Sequence, residues 1–240
     1  MQRNDLLERL REDPARTGLF LDVDGTLAPI VVRPEDARVP DDVRLLLRSL
    51  ATCFGLVACI SGRPAADAER VVGVDELVYV GTHGLELTPE AESWREQVER
   101  FAETVDWPPE WTENKGLTIA LHYRQAEEAE QARHTLERIA EQAEEVGLFP
   151  RFGRMVLEIL PPLATDKGTA VRRLLDTHEL RRALYAGDDT TDLDAFRALD
   201  GLELAVRVAV VSGEAPVGLV EASDISVTGP DGLSELLRSL

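Results

Sequence analysis

The chain has 240 residues, enough for one large or two small domains, and its hydrophobic content of 44% permits a full core. Its formal net charge of −19 argues against nucleic acid or an anionic membrane as a main partner. The polar N-terminus predicts no signal peptide and no apolar stretch approaches the length of a membrane span, so we expect a soluble protein of the cytoplasm.

The first strand predicted from the sequence leads into two acidic residues. Residues 19–21 are apolar and lie between Gly18 and Gly25, which is typical of a short buried strand in a parallel sheet. Asp22 and Asp24 follow at its carboxyl end, where open α/β sheets bind their ligands. Buried carboxylates are costly unless they meet a cation or a substrate, so the pair indicates a functional site. A plain Asp-Gly turn is the alternative.

The second apolar run, residues 54–60, ends in Ser61-Gly62-Arg63-Pro64. Proline suits the first turn of a helix. The Ser61 hydroxyl and the backbone N–H groups after it are therefore expected at a helix N-terminus, which is a natural site for an anion. An ordinary N-cap serine is the alternative.

The remaining strands of this pattern alternate with helices. They are expected at residues 77–80, 183–186, 204–211 and 225–227, and this alternation predicts a parallel sheet covered on both faces. His83 follows the first of these strands, and we expect it near the same edge of the sheet, with an ordinary turn histidine as the alternative.

The pattern changes between residues 88 and 161. This segment predicts a compact α/β insert that is too large to be a loop. Its helices are expected at residues 94–105 and 127–146, and its strands at 117–123, 149–151 and 155–160. We interpret residues 88–161 as a cap domain inserted into a core formed by residues 1–87 and 162–240.

A second acidic cluster, Gly-Asp-Asp-Thr-Thr-Asp at residues 187–192, follows a core strand. Carboxylates this close raise one another's pKa unless a cation holds them. Mg²⁺ prefers oxygen ligands and keeps several waters, so a site made by Asp22, Asp188, the backbone carbonyl of Asp24 and a substrate phosphate fits it. The alternative is an acidic first turn for a helix at residues 193–199.

Lys167 opens another predicted helix and supplies the protein cation that such a site needs. A phosphate dianion approaches carboxylates only if their charge is offset, and fixed positive charges also stabilise the transition state of phosphoryl transfer. A solvated surface lysine is the alternative.

In chain order, four motifs resemble those of the haloacid-dehalogenase-like (HAD) phosphatases. They are Asp22-x-Asp24-Gly-Thr, Ser61-Gly-Arg63, Lys167-Gly and Gly-Asp188-Asp189-x-Thr-Asp192. The resemblance implies an α/β protein with a Rossmann-like parallel sheet core (the HAD fold), an inserted α/β cap domain, an aspartyl-phosphate intermediate and Mg²⁺ as cofactor. It also implies one role for each group of residues: nucleophile, Asp22; acid and base, Asp24; phosphate binding, Ser61, Gly62 and Lys167; metal binding, Asp22, Asp24 and Asp188; support of the metal ligands, Asp189 and Asp192.

Motifs in and around the insert resemble the trehalose-6-phosphate phosphatases. They are Gly81-x-His83-Gly84, Glu113-Asn-Lys115-Gly, Ala120-Leu-His122-Tyr-Arg124 and Val156-Leu-Glu158-Ile. The substrate-binding residues implied by the resemblance are Arg63, His83, Glu113, Lys115, His122, Arg124 and Glu158. The chain departs from the family at Leu160, where an arginine is usual. From the residues alone, Glu113 and Lys115 also fit a solvated loop, and His122 and Arg124 the solvent face of a strand.

The resemblance implies a Mg²⁺-dependent phosphatase that hydrolyses trehalose 6-phosphate to trehalose and phosphate. Two alternatives stay open: a HAD phosphatase for sucrose phosphate, mannosylphosphoglycerate or a hexose phosphate, and a non-catalytic sugar-phosphate sensor or subunit of a synthase assembly. We expect a monomer whose main partner is a small sugar phosphate, with a trehalose-phosphate synthase as the candidate protein partner.

Overall fold

The computed structural model describes residues 3–31, 33–153, 155–212 and 216–240. The chain forms two compact units: the first runs to Gly84 and resumes at Thr165, and the second comprises Leu85–Ala164. The pattern change in the sequence predicts these breaks after residues 87 and 161, three residues from each observed one. Among the described residues, no helix is both long and apolar enough to cross a bilayer.

Helices and strands occur in both units. The strands are β1 (Thr17–Leu21), β2 (Leu56–Ile60), β3 (Val78–Val80), β4 (Thr112–Asn114), β5 (Ile119–His122), β6 (Phe149–Gly153), β7 (Val156–Leu160), β8 (Arg182–Gly187), β9 (Leu204–Val211) and β10 (Ile225–Thr228). The α-helices are α1 (Arg3–Glu12), α2 (Asp41–Cys53), α3 (Ala65–Val72), α4 (Arg95–Thr104), α5 (Ala129–Glu145), α6 (Lys167–Thr177), α7 (Asp192–Ala198), α8 (Val217–Glu221) and α9 (Gly229–Leu237).

The first unit is built on a six-stranded parallel sheet in the order β10-β9-β8-β1-β2-β3. All five residues of β1 are buried, and its neighbours are β2 and β8. Leu21 pairs with the penultimate residue of each neighbour, so the three strands end level. Asp22, Ser61 and Asp188, which follow these strands, therefore lie at one edge of the sheet.

Helices cover both faces of this sheet. The apolar side chains of α1, α2, α3 and α9 form one core with alternate residues of the strands, including Leu19 and Leu21. Tyr185 lies on the opposite face, where its ring meets Phe196 of α7 edge to face at 6.0 Å. The parallel sheet, covered on both faces and carrying an inserted second unit, confirms the expected α/β fold class.

A capping box begins α6. The Asp166 carboxylate accepts the Thr169 N–H at 2.6 Å, and the Thr169 hydroxyl accepts the Asp166 N–H at 2.9 Å. Lys167 is therefore the first residue of the helix. The next residue is Gly168, and a Cβ there would lie 2.4 Å from the Asp194 carbonyl oxygen. The glycine lets α6 approach α7 closely, which brings Lys167 to the acidic cluster.

The second unit is an antiparallel sheet in the order β4-β5-β7-β6. One face packs against α4 and α5 through a core that includes Ile119 and Leu121. Strand β4 is not predicted from the sequence, because its residues Thr-Glu-Asn are all polar. Its pairing with β5 nevertheless creates a row of direct cross-strand neighbours on the other face: Glu113, Ala120, Glu158 and Arg151.

Candidate active site

Asp22 lies at the tip of β1 and is almost completely buried, with 5% of its surface exposed. Its Oδ1 accepts a hydrogen bond from Lys167 Nζ at 2.8 Å, and its Oδ2 accepts a long one from the Thr26 hydroxyl at 3.4 Å. Burial raises the pKa of Asp22 well above its ordinary value; Lys167 opposes this shift, while Asp192 and Asp188 add to it. The carboxylate is thus held in place but costly to ionise.

Lys167 is buried, with 3% of its surface exposed, so it is not a surface lysine. Its Nζ donates to Asp22 at 2.8 Å and to Asp192 at 2.7 Å. Burial alone would lower the pKa of Lys167, but Asp192 and Asp22 outweigh it and the pKa is raised. The ammonium group therefore stays charged and links Asp192 to Asp22, which lies 145 positions before Lys167 in the chain.

Asp192 is completely buried, and its two oxygens accept four hydrogen bonds. Oδ1 receives Lys167 Nζ and the Tyr185 hydroxyl, both at 2.7 Å. Oδ2 receives the backbone N–H groups of Asp188 and Asp189, both at 2.9 Å. Because a carboxylate has about four acceptor positions, those of Asp192 are already filled. Burial and Asp192 raise the pKa of Tyr185, so its phenol keeps the donated proton.

Carboxylate oxygens of Asp22, Asp188 and Asp192 lie within 4.8 Å of one another. Burial, with a further contribution from Asp192, raises the pKa of Asp188 to about 6. When all three carboxyl groups are ionised, the single ammonium group of Lys167 offsets only one of their three negative charges. Hard oxygen donors with this excess charge fit a divalent cation. Since the oxygens of Asp192 are filled, Asp22 and Asp188 are the carboxylates with acceptor positions to spare for it.

Gly25 explains how the loop after β1 passes over this cluster. Its φ is +80°, and a Cβ at this position would lie 2.1 Å from Asp188 Oδ2. Thr26 follows and donates to Asp188 Oδ1 at 3.3 Å as well as to Asp22. Thr26 belongs to the first motif, but the sequence analysis assigns it no role.

Asp24 is more exposed than the carboxylates of the buried cluster and pairs with Arg63. Arg63 Nε donates to Asp24 Oδ2 at 2.6 Å and Nη2 donates to Oδ1 at 2.7 Å. The motifs imply a substrate-binding role for Arg63, whereas the structure places its guanidinium on this carboxylate.

Ser61 is buried at the end of β2, and its hydroxyl accepts the Arg63 N–H at 3.1 Å. It is not the N-cap of α3, because that position is held by Pro64 and no side chain caps the helix. The His83 ring packs against Gly62, where a Cβ would lie 2.8 Å from Nε2 of the ring. The backbone N–H of His83 donates to the Ser61 carbonyl at 2.9 Å. Ser61, Gly62 and His83 thus form one group.

Asp189 lies exposed on the turn after β8. Its Oδ1 accepts the N–H of Thr190 at 2.7 Å and the hydroxyl of the same residue at 3.2 Å. The side chain therefore shapes its own turn.

In the second unit, the polar face of the sheet carries a charged cluster. Lys115 Nζ lies 3.6 Å from Glu113 and 3.8 Å from Glu158, and its side chain is only 10% exposed, so it does not belong to a solvated loop. His122 Nε2 lies 3.5 Å from Glu113. Arg124 lies exposed after β5 and forms no ion pair with any other described residue. These contacts bring together four of the five predicted residues of the insert.

Arg151 belongs to the same cluster and is missed by sequence reasoning. Its Nη2 donates to Glu158 Oε2 at 2.5 Å, and its Nε donates to the same oxygen at 3.2 Å. The signal in the sequence is a lone arginine between Pro150 and Phe152, but its meaning depends on the pairing register of β6 and β7.

Comparison with known proteins gives consistent matches. The family model described as trehalose-phosphatase matches residues 20–223. The trehalose-6-phosphate phosphatase of Escherichia coli K12 is 30% identical over 239 residues, which cover 92% of this chain and 89% of that protein. An uncharacterized glycosyl hydrolase of Mycobacterium tuberculosis is 35% identical over 215 residues, which cover 80% of this chain but only 16% of that protein.

A solved structure matches the whole fold. The C-terminal domain of C. albicans trehalose-6-phosphate phosphatase superposes with a TM-score of 0.72 at 23% identity, covering 99% of this chain and 95% of that one. At this identity the match supports the fold. Together with the family match over most of the chain, it confirms the resemblance that the motifs carry. The chain belongs to the trehalose-phosphatase family.

Proposed function

We propose that this chain hydrolyses trehalose 6-phosphate to trehalose and phosphate through an aspartyl-phosphate on Asp22. The observation that carries the proposal is the contact of Lys167 with both Asp22 and Asp192, with Asp188 in the same cluster. Phosphoryl transfer needs a fixed nucleophile among fixed positive charges, and this cluster can provide both.

Asp22 and Asp188 would hold Mg²⁺ in this cluster. We propose the backbone carbonyl of Asp24 as a further ligand. When bound, this ion would neutralise phosphate oxygens and the developing charge of the transition state. Asp22 must be ionised to attack, and its pKa is raised by burial while Lys167 works against that rise.

In the first step, an Asp22 oxygen attacks phosphorus, and the bond from phosphorus to the sugar oxygen breaks. The electron pair goes to that oxygen, which takes a proton from the Asp24 carboxyl group. In the second step, Asp24 removes a proton from water, and the resulting oxygen attacks phosphorus. The bond from phosphorus to Asp22 breaks, and inorganic phosphate leaves. Ser61 and Lys167 hold the phosphate group throughout.

We propose that the second unit is the cap domain and supplies the groups that recognise the sugar. Glu113 and Glu158 stand in one row across its sheet, with Lys115 between their carboxylates. Carboxylates accept hydroxyl protons and an ammonium group donates to hydroxyl oxygens, so the cluster suits a polyol. Ala120 stands between the two glutamates in this row and is itself buried.

A phosphate-release assay tests the proposal. The panel comprises trehalose 6-phosphate, sucrose phosphate, mannosylphosphoglycerate and hexose phosphates, each with Mg²⁺ and with a chelator. We expect release from trehalose 6-phosphate above all, lost with chelator and lost in Asp22→Asn. Preference for another ester would refute the assigned substrate. Binding of a sugar phosphate without release of inorganic phosphate would refute the proposal that the chain is an enzyme.

A further inference from the structure

The Asp24–Arg63 pair has the geometry of a device for orientation. Both carboxylate oxygens are engaged, at 2.6 and 2.7 Å, by the planar fork of one guanidinium. The Asp24 side chain is 40% exposed, whereas that of Arg63 is 12% exposed. Ion pairs with this much exposure contribute little to stability. The fork does, however, fix the plane and the position of a carboxylate that would otherwise change rotamer freely.

Arg63 is itself held at several points. Its backbone N–H donates to the Ser61 hydroxyl at 3.1 Å, and its carbonyl accepts the Thr82 N–H at 2.8 Å. At the far end of the side chain, Nη1 donates to the Pro34 carbonyl at 3.0 Å. A side chain fixed at its base and at its tip gives Asp24 a rigid support.

We propose that Arg63 is a positioning residue that orients the Asp24 carboxyl group for proton transfer to the leaving sugar oxygen. This inference rests on the proposed function, in which Asp24 is the acid. Each Asp24 oxygen uses one acceptor position for the guanidinium and keeps another for exchange of a proton with the substrate. The role differs from direct substrate binding, because Arg63 acts on the reaction through Asp24.

The two roles predict different results for different leaving groups. A sugar oxygen is a poor leaving group and needs a proton as its bond to phosphorus breaks. A p-nitrophenolate leaves as a stable anion and needs none. Loss of Arg63 should therefore lower kcat/KM for trehalose 6-phosphate roughly 100-fold, a typical contribution of general acid catalysis, while p-nitrophenyl phosphate loses less than about threefold.

The experiment measures kcat/KM, which reports the phosphoryl-transfer step, for trehalose 6-phosphate and for aryl phosphates of graded leaving-group acidity. The variants are Arg63→Met and Arg63→Lys. The single ammonium group of the lysine cannot bind both Asp24 oxygens, so Arg63→Lys should have a kcat/KM between those of Arg63→Met and the wild type. Arg70→Met is the matched control, since Arg70 also reaches a neighbouring loop carbonyl, that of Glu35, but pairs with Asp67 outside the site. Thermal unfolding checks that each variant is folded.

A loss that grows as the leaving group becomes poorer supports the proposal. An equal loss for all esters, as expected if Arg63 binds the phosphate directly, would overturn it, and so would no loss in either variant. If the wild-type chain hydrolyses aryl phosphates but not trehalose 6-phosphate, the assigned substrate fails while the graded series still decides the role of Arg63. Absence of hydrolysis of every ester would overturn both.

Discussion

Replacement of Asp188 by asparagine should stabilise the metal-free protein at neutral pH. Burial and the charge of Asp192 raise the pKa of Asp188 from 3.8 to about 6. Each pKa unit corresponds to about 1.36 kcal/mol, so ionisation of this group costs the folded state roughly 3 kcal/mol relative to the unfolded chain. The asparagine removes that charge and keeps an oxygen to accept the Thr26 hydroxyl.

The pH dependence of this effect has a definite sign. Because the folded state binds the proton more tightly, the wild-type protein loses stability as the pH rises from about 4 to about 6, and the penalty is complete above that range. Asp188→Asn should therefore match the wild type near pH 3.8 and exceed it at pH 7.5. For a chain of this size the difference corresponds to roughly 6 to 12 °C in Tm.

The assay is thermal unfolding in the presence of chelator across this pH range. The control is Asp189→Asn, the same substitution at the exposed neighbouring residue. Mg²⁺ should raise the Tm of the wild type and have little effect on Asp188→Asn. If Asp188→Asn is no more stable than the wild type at pH 7.5 without metal, or if Mg²⁺ stabilises both equally, the charge imbalance inferred for the cluster is wrong.

Three further substitutions test other parts of the site. Gly25→Ala should abolish Mg²⁺ binding measured by calorimetry, since the new Cβ would lie 2.1 Å from Asp188 Oδ2. Gly201→Ala is the control, because Gly201 also has a positive φ but open space around it. This control should lose only about 1 to 3 kcal/mol of unfolding free energy, from backbone strain. Tyr185→Phe should lower the free energy of unfolding by about 1.5 to 3 kcal/mol, because it removes a donor to the buried Asp192 carboxylate. It should also lower kcat, since Asp192 holds the Lys167 ammonium group that we propose binds the phosphate. Arg151→Met should raise KM for trehalose 6-phosphate roughly tenfold with a small change in kcat, because the glutamate that it holds loses a charge-assisted hydrogen bond.

These substitutions have controls and contrary outcomes of their own. Arg133→Met, which removes a guanidinium 5.0 Å from the Phe152 ring in the same unit, should leave KM unchanged. Undisturbed Mg²⁺ binding in Gly25→Ala would contradict the close approach of the loop. Wild-type stability in Tyr185→Phe would mean that the buried carboxylate needs no fourth donor, and an effect of Arg151→Met on kcat alone would place Arg151 outside sugar recognition.

The sequence predicts that Asp22 and Asp188 lie close together, because each follows a buried strand of the parallel sheet. The run before Asp22 and the run before Asp188 are apolar enough to be recognised as strands, and parallel strands bring their carboxyl ends to one edge. The sequence predicts Lys167 as the cation of the site, with a surface lysine as the alternative, but it does not show how the side chain comes to be buried. Its burial depends on the approach of α6 to α7 at Gly168, a contact with no periodic signature.

Other features were beyond sequence reasoning for identifiable reasons. The polar strand β4 lacks the alternation that marks a half-buried strand, so its contribution of Glu113 to the sheet face depends on pairing with β5. The place of Arg151 depends on the register of β6 with β7, which a single sequence does not specify. The pairing of Asp24 with Arg63 joins residues 39 positions apart, whose motifs suggested separate roles.

The most direct test of the central claim, that Asp22 is the phosphoryl acceptor, is to trap the covalent intermediate. The protein is mixed with trehalose 6-phosphate labelled in its phosphate, quenched within a single turnover in acid, where acyl phosphates persist, and mapped by peptide mass spectrometry. We predict label on the peptide that contains Asp22 and none in Asp22→Asn. Label on another residue, or full turnover of substrate in Asp22→Asn, would contradict the claim.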